Sequence, residues 1–111
     1  MKTGKDNYVM GIASSPQKEA DMIAKELISK QLAACVQIIG PVTSFYHWEG
    51  KMQKDSEVLL FIKTKEKLIK EIENMFKEKH PYEIPELIFF SFSKALSSYL
   101  KWIDKSVKQI G

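Results

Sequence analysis

Hydrophobic and polar positions change period several times along the chain, and each change marks an element. Residues 8–13 form a short apolar run that reads as a first strand. Ser14, Ser15 and Pro16 then supply helix-start chemistry. Ser14 with Gln17 spells a capping box, and Ser15 as the cap before Pro16 at the first helical position is the alternative. Ala20, Ile23, Ala24, Leu27 and Ile28 recur at helical spacing and define the buried stripe of a first helix. Residues 33–39 are small or apolar at both parities, which predicts a strand covered on both faces. Gly40-Pro41 interrupts it as a bulge or kink, and the chain continues extended to Trp48.

Phe45, Tyr46, His47 and Trp48 stand just before a turn at Glu49-Gly50. A small chain has little core beneath a hairpin tip, so rings there are expected to be covered by another copy of the chain. After the turn, residues 57–63 read as the returning strand. Thr64 is placed to cap a second helix that carries Leu68, Ile69, Ile72, Met75 and Phe76 on one face. Pro81 disfavours helical geometry in the residue before it, so that helix stops near His80. Residues 87–92 read as a fourth strand, and Ser97 or Ser98 opens a last helix with Leu100, Ile103, Val107 and Ile110 inward. The order predicts an α+β ferredoxin-like βαββαβ sandwich with a four-stranded antiparallel sheet. A long hairpin joins its second and third strands, and an extra C-terminal helix follows. That fold carries many chemistries, so function rests on particular residues.

Composition narrows the partners. With 111 residues, residues 1–111 are expected to form one domain, and 44% hydrophobic residues allow a real core. All 17 cations are lysine, so any anion site must use lysine or backbone N–H groups, without the planar fork of arginine. A formal net charge of +3 is too small to point to nucleic acid. The run Val58-Leu59-Leu60-Phe61-Ile62 also lacks the aromatic pattern of an RNA-stacking sheet. The single cysteine, Cys35, excludes an intrachain disulfide and suits a reducing compartment. The first seven residues lack an apolar signal core, and no run approaches the about 18–20 apolar residues of a membrane span. No membrane contact and a cytoplasmic location are expected.

Several blocks together resemble the CutA family of divalent-cation-tolerance proteins. They are Leu32-Ala33-Ala34-Cys35-Val36, Thr43-Ser44 with Tyr46-x-Trp48-x-Gly50-Lys51, Asp55-x-Glu57-Val58, Ile62-Lys63-Thr64, His80-Pro81-Tyr82-Glu83-x-Pro85-Glu86, and Tyr99-Leu100-x-Trp102. The resemblance implies a tight homotrimer, similar in architecture to the PII signalling proteins. It also implies a non-enzymatic role in tolerance of copper or another divalent cation. Copper-binding members look to have a cysteine at the end of the first strand and a second histidine directly before the His-Pro-Tyr motif. This chain has Ala13 and Lys79 there, so only His80 of that set carries over.

Candidate metal ligands are therefore His80, Cys35 and Glu83. Cys35 is either a buried small hydrophobe or a thiolate for a soft ion, with partners from neighbouring subunits. His80 is either a helix C-terminal residue favoured by the dipole or an imidazole ligand for copper or zinc. Glu83, with Tyr82 and Glu86, lies in a turn stiffened by Pro81 and Pro85. Those carboxylates suit a hard cation, the ammonium of a lysine, or a structural ion pair. Gln37, Tyr46, Trp48, Lys63, Tyr82 and Glu86 make a candidate pocket at a subunit junction for a small anionic ligand, or else plain interface packing. His47, facing opposite to Tyr46 and Trp48, is solvated or a surface metal ligand. Glu66–Lys70 and Glu73–Lys77 have the favourable helical order of charge and mark a solvated face. The alternative to cation tolerance is a PII-like trimer that senses an anionic ligand between subunits. A phosphatase on this fold would need an anion-gripping arginine that the chain lacks.

Overall fold

A computed structural model describes residues 8–109 and, as backbone alone, Lys2–Thr3. In chain order it contains β1 (Lys2–Thr3), β2 (Tyr8–Ser15), α1 (Gln17–Ser29), β3 (Cys35–Trp48) and β4 (Lys51–Lys65). A 3-10 turn over Glu66–Leu68 leads into α2 (Ile69–Lys79), followed by β5 (Leu87–Ser91), β6 (Lys94–Ala95) and α3 (Ser97–Ser106). Four strands pair antiparallel in the order β3-β4-β2-β5, the ferredoxin-like arrangement expected, while β1 pairs separately with β6. Ile110, expected on the last helix, lies outside the described residues.

Alternation along β4 sets the core. Val58, Leu60, Ile62 and Thr64 turn inward and are buried. They meet Ala20, Ile23 and Leu27 of α1, Ile72, Met75 and Phe76 of α2, and Leu100 and Ile103 of α3. The opposite parity gives a second, open face. Strand register puts Met10 and Ile12 of β2, Leu59 and Phe61 of β4, Ile39 of β3, and Ile88 and Phe90 of β5 on it. Residues 33–39 were expected to be covered on both faces, yet Gln37, Ile38 and Ile39 are exposed because β3 is an edge strand. The strand also begins at Cys35, so that residue opens β3 rather than sitting in its middle.

Helix starts depart from the expected caps. Pro16 occupies the position before α1 with no side-chain cap, and Ser14 and Ser15 belong to β2. The Ser15 hydroxyl donates to the Pro16 carbonyl at 2.8 Å. Thr64 is buried in β4, and its hydroxyl donates to the Leu32 carbonyl at 2.6 Å, which leaves it unavailable as a cap. Ile28, on the edge of the predicted stripe, is exposed. α2 stops at His80 as expected, with extended backbone there (φ −74°, ψ 138°) ahead of Pro81. Glu73 pairs with both Lys77 (3.3 Å) and Lys70 (3.5 Å), whereas Glu66 makes no ion pair with Lys70.

The Gly40-Pro41 interruption is a bulge. Ile39 faces Leu59 and Val42 faces Glu57, so β3 advances three residues while β4 advances two. Gly40 has φ 146°, and a Cβ there would lie 3.2 Å from the Val58 backbone, so glycine fits and a larger residue does not. The extra residue changes which parity faces which side. Cys35, Gln37 and Ile39 before the bulge share a side with Val42, Ser44, Tyr46 and Trp48 after it. The hairpin then turns at Glu49 (φ 51°) and Gly50 (φ 78°), the left-handed pair that matches strand twist in a two-residue loop.

Candidate functional site

Beyond the bulge, β3 and β4 run past the helices, and the loop between α2 and β5 folds against them. A cleft of about 690 Å³ opens between the two. β3 contributes Ser44, Phe45, Tyr46 and Trp48, β4 contributes Glu57, and β2 contributes Ser14. The loop contributes Pro81, Tyr82, Glu83, Ile84 and Glu86. The parity change at the bulge is what brings Tyr46 and Trp48 to the side occupied by Glu57, since Val42 stands directly opposite Glu57.

His80 fixes the loop. Its ring is buried, stacked on Phe76 at 5.5 Å between centroids and edge-on to Tyr82 at 4.9 Å. The Tyr82 amide donates to Nδ1 at 3.1 Å, so Nδ1 carries no proton. Nε2 lies 2.7 Å from the Ser14 carbonyl, an acceptor alone, and so carries the proton and donates it. The ring is therefore a neutral imidazole that ties the start of the loop to β2, and both of its nitrogens are occupied.

Two phenols in the cleft are each tied to a carboxylate. Tyr82 donates to Glu57 Oε1 at 3.0 Å, and Tyr46 donates to Asp55. Burial, and then the hydrogen bond to Glu57, push the Tyr82 phenol well above its ordinary value. The hydrogen bond to Asp55, more than burial, raises that of Tyr46. Both rings stay neutral at neutral pH, so neither offers a phenolate to a metal. Glu57 is only 8% exposed and lines the cleft floor.

The cleft gathers five of the expected residues, Tyr46, Trp48, Tyr82, Glu83 and Glu86. It does not include Gln37 or Lys63. These two lie on the open sheet face, where the Lys63 ammonium donates to the Gln37 carbonyl. Cys35, opposite Lys63 in the register, is a half-buried free thiol on that same side. His80 lies behind the cleft as its brace. His47 is exposed near the turn. Among the described residues, His80, Cys35 and Glu83 do not converge, and no group of three His, Cys, Asp or Glu side chains comes together at metal-binding range. Glu57 was not among the expected site residues. Its signal was available as a carboxylate in an otherwise apolar strand run, directly across from the bulge.

Known proteins agree with this architecture. Residues 8–106 match the family model described as CutA1 divalent ion tolerance protein. The human Protein CutA is 37% identical over 109 residues, which covers 93% of this chain and 61% of the human one, so the chain spans under two thirds of that relative. CutA1 from Oryza sativa superposes with a TM-score of 0.90 at 34% identity, covering 94% of this chain and 96% of the rice chain. The Archaeoglobus fulgidus CutA, described as a periplasmic divalent cation tolerance protein, gives 0.87 at 34% identity over 91% of this chain and 99% of its own. With the family model matching residues 8–106 and the solved relatives superposing over nearly the whole length, this chain belongs to the CutA1 divalent ion tolerance family.

Proposed function

We propose that this chain works as a non-enzymatic homotrimer in the tolerance of divalent cations, copper among them, in the cytoplasm. The assembly rests on one observation, the open face of the sheet. Ile39, Ile88 and Phe90 are 42%, 49% and 52% exposed there, next to Met10, Ile12, Leu59 and Phe61. A contiguous apolar surface of this kind marks association, and three copies closing a ring cover it by heterologous contacts. The edge strand β3 adds unpaired backbone groups that favour the same outcome. Cys35 stands on that side of the sheet, so further ligands for a copper ion come from neighbouring copies. His80 gives up one of two ring hydrogen bonds to bind a metal, which makes it the weaker ligand. The lone thiol favours a reducing compartment, in contrast to the periplasmic relative.

Light scattering at micromolar concentration is expected to give the mass of three subunits, and a monomer's mass sinks the proposal. Equilibrium dialysis against copper is expected to show uptake that Cys35→Ser lowers; equal uptake removes Cys35 from the site. A second reading, a small-ligand sensor built like the PII trimers, is favoured by the 690 Å³ cleft, whose size is that of a ligand pocket.

A further inference from the structure

The cleft is acidic in a basic chain. Among the described residues no lysine lines it, while Glu57, Glu83 and Glu86 all do. None of those three carboxylates takes part in an ion pair among the described residues. Glu57 is the most informative of them. It is more than nine-tenths buried, its Oε1 accepts from Tyr82, and its Oε2 has no donor among the described residues. Oε2 is not among the buried side-chain atoms that lack a partner, so it is open to the cleft, and a carboxylate placed there with no cation beside it favours a positively charged occupant. That argues against an anionic occupant.

Two kinds of cation compete. A hard divalent ion needs six or more oxygens converging at about 2.0–2.6 Å, and it gains little from hydrocarbon walls. The described carboxylates do not converge in that way. An organic ammonium spreads its charge over a larger volume and binds ring faces within about 6 Å of the centroid, tryptophan best. Phe45, Tyr46, Trp48 and Tyr82 provide four rings around the cavity. Because both phenols donate to carboxylates, their rings are held in place and made more electron-rich, which strengthens attraction for a cation.

We propose that the cleft binds an organic ammonium ion, its charge against Glu57 and its carbon skeleton between the rings of Trp48, Tyr46 and Tyr82, with Glu83 and Glu86 at the mouth. This assignment rests on the reading of the cleft as a ligand site and is independent of the metal role.

The test uses the intact assembly with Trp102→Phe, which leaves Trp48 as the only indole of the chain's two. Cadaverine and choline are titrated separately against Trp48 emission, with magnesium chloride and ATP as comparators at equal ionic strength. Saturable change with the amines and none with the comparators is expected. Glu57→Gln keeps an acceptor for Tyr82 but loses the charge, and should weaken amine binding by at least about tenfold, the value of one desolvated charge contact. Glu86→Gln, at the exposed mouth and safe for folding, should weaken it by about threefold, in line with a partly screened pair. Failure of both amines to saturate, equal affinity in both variants and the parent, or saturation by ATP each overturns the assignment. Light scattering on the same samples keeps this outcome separate from that of the trimer, since a monomer that still binds amines sinks only the assembly.

Discussion

The two faces of the central sheet are built from the same residue types and meet different fates. Along β4, Leu60 and Ile62 point toward the helices and are fully buried, while Leu59 and Phe61 point the other way and are only partly covered. On the neighbouring strands the contrast is larger, with Ile88 and Phe90 about half exposed. Hydrophobicity alone does not separate a face that a chain buries by itself from one that it leaves open. Position relative to α1, α2 and α3 does.

Substitutions on each face test that contrast. Leu60→Ala is expected to cost about 2–5 kcal/mol, the range for opening a cavity in a packed core. Denaturant unfolding measures it, and a loss below about 1 kcal/mol would erase the distinction between the faces. Phe90→Glu should keep the helical circular dichroism while raising the dissociation constant of the assembly at least about tenfold, as a charge in an apolar seam does. An unchanged mass on dilution would show that the open face is not the seam. Tyr82→Phe removes the hydrogen bond to Glu57 and is expected to cost about 1 kcal/mol in the same unfolding experiment. Glu73→Gln touches neither face. Its lysine partners are both well exposed, so no change in melting temperature is expected, and a clear drop would mean that surface pairs matter more here than packing.

Much of the fold is legible in the residues because hydrophobic period and turn chemistry agree. Glu49-Gly50 fixes the hairpin, Pro81 ends α2, and the stripe Leu68, Ile72, Met75 and Phe76 faces inward as its spacing requires. Helix caps are less legible, because Ser15 and Thr64 have nearby carbonyls as stronger partners. The site is only half visible. Tyr46, Trp48, Tyr82, Glu83 and Glu86 come together, but Gln37 and Lys63 pair with each other elsewhere on the sheet. Spacing did not reveal that His80 would spend both nitrogens on Ser14 and Tyr82, since those partners are 66 residues away and two residues on. Glu57 is hard to read as a site residue because a carboxylate at the start of an apolar run also marks a strand boundary.

The bulge at Gly40-Pro41 acts as a phase shifter for everything beyond it. Removing one residue there would shift the outer part of β3 by half a period against β4, turning Tyr46 and Trp48 away from the side that carries Glu57 and bringing His47 to it. An acid-and-ring pocket would become one carrying an imidazole, with every outer side chain kept and none substituted. The lining of this cleft is thus open to change by insertion or deletion at a single point, a route that comparison of aligned residue identities would overlook.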